Sequence, residues 1–197
     1  NIEHEYYSCL SSTEKNFFRK YYFKTEAKRL KSYEEVLHHA NSIAAISKND
    51  YLYFSSKYEN VSVISAFHPN ENIEILEGKG NYILYHGSLE VNENHQAAMY
   101  LIKEVFQGTA YKLIIAGNKP KTELLKIAKE HDNVEIRVGI SNEEIVRLVK
   151  EAQINILPTF QATGIKLKLL LALYCGRHCI VNSPMVLNTG LEELCVI

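Results

Sequence analysis

Lys166 and Lys168 open an apolar run, KLKLLLALYC, directly behind the polar loop 159–164 and the apolar segment that stops at Pro158. Strand, turn, helix is the reading, and such a turn is a place to hold an anion. The first free N–H groups of a helix and its positive dipole end favour negative charge, and two lysines add cationic donors beside them. Thr159, Thr163 and the N–H groups near Gly164 extend the donor set.

Two other loops carry suitable residues. HGSL places Gly87 and Ser88 after an apolar strand, and a single glycine lets the backbone approach a ligand. AGNKP places Lys119 before Pro120, a proline suited to a first helical turn; a solvated turn lysine explains Lys119 equally well. There is no GxGxxG for a dinucleotide and no GxxxxGK[ST] for ATP hydrolysis. HExxH and GxSxG are missing too, and no spacing nominates a nucleophile. From the residues alone the reading stops at phosphate binding.

These loops need a scaffold. From Tyr82 apolar segments alternate with amphipathic ones: strands at 82–86, 111–117, 134–138, 154–157 and 178–182, helices near 93–107, 120–131, 141–151 and 166–175. That rhythm predicts an α/β fold, a Rossmann-like parallel sheet flanked by helices, with ligands outside the carboxyl ends of the strands where strand order reverses. Upstream, residues 11–40 lack Gly and Pro and read as one long helix or two with a bend, Ser11 and Glu14 having capping-box spacing. FFRKYYFK within it is read as a helix that buries one aromatic stripe and snorkels its cations. SIAAIS, a helix near 49–57 and VSVIS form part of a second α/β domain, and the Pro- and Gly-containing stretch 66–81 reads as a linker. The division expected is residues 1–75 and 76–197. His68 in that linker needs no role beyond a solvated loop histidine.

The 22 basic and 23 acidic residues leave a net charge of −1, so nothing points to nucleic acid as a partner and any anion site must be local. The four cysteines lack zinc-ribbon spacing and read as reduced thiols, Cys175 and Cys179 as small buried apolar residues. No signal peptide or membrane-spanning run is present, which predicts a cytoplasmic chain. The missing initiator methionine and the apolar ending LEELCVI suggest a piece of a longer protein.

HGSL, LIIAGNKP and VRLVKEAQINILPTFQATGIKLKLLLALYCGRHCIVN resemble the C-terminal, donor-binding domain of GT-B glycosyltransferases of the family 4 (group 1) type, from about Tyr82 onward. Residues 1–75 resemble the late part of the acceptor-side domain. The resemblance implies transfer of a sugar from a nucleotide-diphosphate donor to a hydroxyl of a glycan or lipid-linked acceptor. Retention, no catalytic metal and no cofactor are implied with it. Its setting would be bacterial surface-polysaccharide synthesis in the cytoplasm, at the inner membrane face, where peripheral association would fit. Carried over by position, Gly87 and Ser88 match the glycine-rich turn near the diphosphate, and Lys119 lies in the AGxxP turn. Thr163 and Gly164 lie in the donor loop headed by Pro158, and Lys166 matches the basic residue that neutralises the diphosphate. The family's two glutamates, eight positions apart, are Thr163 and Leu171 here, which keeps open a degenerate, non-catalytic module that binds a glycan or protein. Glu3 and His4 are the candidates for a base acting on the acceptor hydroxyl.

Overall fold

The computed structural model describes residues 2–64, 67–160, 166–187 and 189–197. The chain divides into two compact units, Asn1–Ala66 and Phe67–Ile197.

In the first unit the helical stretch is two helices, α1 (Glu3–Thr13) and α2 (Phe17–Tyr33), followed by a 3-10 segment, Glu34–His39. The break has a local cause: Glu14 turns extended, and Asn16 caps α2 by accepting from the Arg19 N–H at 3.1 Å. Ser11 is therefore not an N-cap. It lies inside α1 and its hydroxyl donates to the Lys20 carbonyl at 3.3 Å. The buried aromatic stripe expected of FFRKYYFK is also not found. Phe17, Phe18 and Tyr21 are 75%, 80% and 66% exposed, and α2 buries Ala27 instead. Strand β1 (Ile43–Ala45), helix α3 (Lys48–Ser55) and strand β2 (Val61–Val63) then form a parallel βαβ unit in the register Ile43↔Val61. Ser47 caps α3, as its spacing to Asp50 predicts, accepting from the Asp50 N–H at 3.1 Å. Ile2, Phe54 and Tyr58 form the small core of this unit with Leu37, Ile43 and Val61.

The second unit alternates without interruption: β3 (Ile83–His86), α4 (Asn92–Tyr100), β4 (Leu113–Ala116), α5 (Thr122–Ala128), β5 (Val134–Arg137), α6 (Asn142–Glu151), β6 (Ile154–Leu157), α7 (Leu167–Cys175), β7 (Cys179–Val181) and the short α8 (Ser183–Val186). All strand pairs are parallel, in the order β5-β4-β3-β6-β7. Chain order thus reverses between β3 and β6. Two apolar layers sandwich the sheet: Tyr85, Leu113 and Ile115 lie in one, Leu84, Ile114 and Ala116 in the other. The alternation along β3 and β4 follows the period-2 geometry of strands. Two expected boundaries shift. Pro120 is outside α5, whose N-cap is Lys121, and α4 ends in a π-helical turn, Leu101–Val105.

Residues 67–81 form no helix or strand but are tied to the second unit. Arg177 donates to the carbonyls of Glu77 and Gly78 and to those of Lys150 and Ala152, using its planar fork to bind four acceptors. Gly80 is needed where this segment meets β6, since a Cβ there would lie 2.4 Å from the Gln153 nitrogen. The His68 ring sits 4.6 Å from that of Tyr174, a packed position rather than a solvated one.

Candidate functional site

The carboxyl ends of β3 and β6 diverge at the reversal of strand order, the place where α/β sheets leave a crevice. Beside it, on the β4 side of β3, the loops after β3, β4 and β5 are joined through their backbones. Gly87 donates to the Ala116 carbonyl at 3.0 Å, Leu89 to that of Asn118 at 3.0 Å, and Gly117 to that of Arg137 at 3.0 Å. Asn118 also accepts from the Gly139 N–H at 2.9 Å, drawing in the loop after β5. The approach is so close that a Cβ on Gly117 would lie 1.9 Å from the Gly87 carbonyl oxygen. Gly117 fixes this edge through sterics, a role that its place in the sequence did not assign to it.

Helices α4 and α7 begin on either side of the crevice, and neither has a side-chain N-cap among the described residues. Their side chains cross it. Lys166, at the N-cap position of α7, pairs with Glu93 of α4 at 3.0 Å. Thr159 donates its hydroxyl to the same carboxylate. Lys168 reaches Asn94 at 2.9 Å and the Tyr85 hydroxyl at 3.4 Å, its ammonium 5.0 Å from the Tyr85 ring centre. Asn94 in turn donates to the Ser88 carbonyl at 3.0 Å. Behind them Asn182, after β7, clamps the Thr159 backbone, accepting from its N–H at 3.0 Å and donating to its carbonyl at 2.7 Å.

Burial shapes the charges. Desolvation pushes the Lys168 ammonium down to about 8, against the pull of Glu93. His86, at the last position of β3, is pushed down to about 4 by burial and by Lys168, and is neutral at pH 7. Its Nε2 is buried without a partner among the described atoms. Among the described residues the crevice therefore holds a neutralised ion pair, Lys166–Glu93, and an ammonium, Lys168, seated on the neutral acceptors Asn94 and Tyr85. An anion entering here would compete with Glu93 for Lys166. A lysine has three donors, so Glu93 can also hold Lys166 in place while another N–H turns to a ligand.

Gly87, Ser88 and Lys166 thus lie around one crevice. Lys119 stands at its rim on the loop after β4, with a positive φ of 53° and an ion pair to Glu90 at 2.9 Å; Glu90 holds its ammonium above the usual range. Thr163 and Gly164 lie outside the described residues. Leu171 is partly buried against the second core layer, which includes Leu84, Ile114 and Val149, and offers no acceptor. The sequence reading assigned no role to Glu93, Asn94 or Asn182: Glu93 and Asn94 lie 73 and 74 positions before the lysines they meet, and Asn182, although at the end of the same stretch, carries no local mark of its bond to Thr159.

Glu3 and His4 belong to the first unit. Glu3 is exposed, whereas His4 lies 3.4 Å from Glu34. Burial alone would raise the Glu34 carboxyl, but hydrogen bonds from Lys57 and Tyr53 outweigh it and hold the group below its usual range. His4 is thus set beside a fixed anion. Among the described residues no three His, Cys, Asp or Glu side chains gather as metal ligands would, and no helix is long and apolar enough to cross a membrane.

Comparison with known proteins adds family and fold. The family described as glycosyl transferases group 1 matches residues 80–194. No curated protein sequence matches. Among solved structures, the chain is similar to TarM (TM-score 0.61, 15% identity) over 78% of its own length and 32% of that chain. A mutant of S. aureus TarM in complex with Fondaparinux, alpha-GlcNAc-glycerol and UDP is matched with a TM-score of 0.59 and 16% identity, over 79% of this chain and 32% of that one. The GtfA/B complex follows with a TM-score of 0.58 and 13% identity, over 78% and 32%. The chain thus spans about a third of the length of these matched structures.

Proposed function

The chain belongs to the group 1 glycosyl transferases, and from that premise we propose that it serves transfer of a sugar from a nucleoside-diphosphate donor to an acceptor hydroxyl, the donor's diphosphate lying over the carboxyl ends of β3 and β6. The observation that carries this reading is the convergence on one crevice of the Gly87 turn, two helix starts without side-chain caps and Lys166. The leaving nucleoside diphosphate gains charge as the glycosidic bond breaks, and fixed N–H donors with a held ammonium favour that state over the ground state. In this reading Gly87 admits the diphosphate to the backbone, Lys166 binds it, Ser88 and Lys119 act at the mouth, and Thr163 and Gly164 contribute donors to the diphosphate. Glu93 and Asn94 are positioning residues for the two lysines.

The acceptor is a glycan or a lipid-linked glycan, and the setting is bacterial polysaccharide assembly at the cytoplasmic face of a membrane. Transfer is retaining and uses no metal. His4, oriented by Glu34, is better placed than exposed Glu3 to receive a proton. The UDP bound by the TarM mutant makes uracil the first base to test. Calorimetric titration of the complete protein with UDP should give saturable binding. Lys166→Ala should weaken it about 10- to 100-fold, the loss of one charge-assisted hydrogen bond. Absence of binding to UDP, GDP and ADP alike would remove the donor site.

One observation favours a second reading. Leu171 is an apolar side chain, partly buried against the core, where a ribose-binding acid is expected, and Lys166 is neutralised by Glu93, as suits a module that binds without turnover. UDP binding without sugar transfer to any acceptor would select it.

A further inference from the structure

A second set of lysines lies in the first unit. Helices α1 and α2 enclose a groove of about 440 Å³ lined by Lys20, Lys24, Lys28 and Lys31 on one wall and by Ser8, Ser12 and His4 on the other. The stripes match: Ser12, Ser8 and His4 recur every four residues along α1, and Lys20, Lys24 and Lys28 do so along α2. Such positions share a helix face and rise in steps of about 6 Å, so the four ammonium groups span about 16 Å. Among the described residues no carboxylate pairs with any of the four. The nearby Glu26 is taken by Arg29 at 3.0 Å, and Glu34 by Lys57 at 2.9 Å.

A row of unpaired like charges at i, i+4 destabilises the helix that carries it. It serves no packing either, since α2 buries only Ala27 on the groove side. What it suits is a ligand with evenly repeated negative charge. A single phosphate or a diphosphate is too short to meet lysines spread over three turns. A flat anionic membrane cannot follow a groove whose far wall is serine hydroxyls. We infer that this groove binds a linear polyanionic glycan or polyol chain, with one anionic group per repeat neutralised by successive lysines and the oxygens of Ser8 and Ser12, whose own O–H groups are given to the His4 and Cys9 carbonyls, accepting from its hydroxyl groups. This site is separate from the donor crevice and does not depend on the sugar-transfer reading.

The test is fluorescence anisotropy of the full chain with end-labelled poly(glycerol phosphate) and polygalacturonate at low salt, which distinguishes phosphodiester from carboxylate as the anion. One of them should bind with a log–log salt slope of about −3, the value for four neutralised charges on a single-stranded polyanion. Lys24→Gln combined with Lys28→Gln should halve that slope and weaken binding about tenfold. The same variant should melt no lower than the wild type, because like-charge repulsion is relieved; a lysine row with a purely structural role would lower the melting temperature. Lys103→Gln with Lys126→Gln, exposed lysines of the second unit, removes equal charge and should leave binding unchanged. The proposal fails if neither polymer binds, or if the control pair weakens binding as much as the groove pair. It also fails if a single-stranded oligonucleotide or phosphatidylglycerol vesicles bind more tightly than both polymers.

Discussion

The two lysine clusters of this molecule are built in opposite ways. At the crevice of the second unit, Lys166 is held by a carboxylate and Lys168 is drawn among Asn94, Tyr85 and buried His86. Along α2 of the first unit, four lysines stand in a row with no acidic partner among the described residues. The first arrangement spends stability on burying charge and gains fixed direction, which is what stabilising a leaving group needs. The second leaves its charges solvated and gains only repetition, which suits long-range attraction of a charged chain. The difference shows that a lysine's use depends less on its presence than on what surrounds its ammonium.

The largest effect that would break the comparison is on the crevice scaffold. Gly117→Ala would place a Cβ 1.9 Å from the Gly87 carbonyl and should cost about 3 kcal/mol of stability by denaturant titration. If the protein tolerates it, the packed edge does not fix the crevice as described. Next comes the charge burial itself. With Lys168 at about 8 when folded and 10.5 as its ordinary value, both states hold the proton below pH 8, where the folded state bears the full cost of burying it. Between about pH 8 and 10.5 only the unfolded state holds it, so stability should rise with pH across that window. The gain is at most about 3 kcal/mol, less because the side chain is only half-buried, and Lys168→Met should abolish it. His86 gives the acidic counterpart: from pH 6.5 down to about 4 the unfolded state alone takes up the proton, so stability falls by about 3 kcal/mol, a loss that His86→Phe should remove.

The smallest effect lies on the other side. Lys24→Gln should raise stability by only about 0.5 kcal/mol, as two like-charge pairs are removed from an exposed helix face. Together these measurements would sharpen the contrast: a change of several kcal/mol at the buried cluster against a few tenths at the exposed one.

Much of the scaffold was legible in the sequence. Strands at 83–86, 113–116, 134–137 and 154–157 follow from apolar segments bounded by glycine, proline and polar turns, and parallel pairing follows from their alternation with helices. The glycine turn at Gly87 and the lysine at the start of α7 were legible because a glycine directly after a strand and a lysine directly before an apolar helix are local patterns. The helix boundary at Asn16 was less so, because Ser11 has the same capping chemistry and only packing sends its hydroxyl to Lys20 instead. The aromatics of FFRKYYFK were misread for a similar reason: spacing describes a face of the helix, and whether anything covers it is a tertiary matter.

The sequence by itself determined an α/β fold, the family and the loops where an anion can be met, since these depend on periodicities and short motifs within a few residues. Tertiary structure alone decided what each charge touches. Thr159 meets Glu93 across 66 positions and Lys166 meets it across 73, while Gly117 must be glycine because of a carbonyl 30 positions away. No local pattern encodes such pairs. They exist because parallel strands bring distant loops to the same edge, and there the surroundings, not the residue type, set the charge and its use.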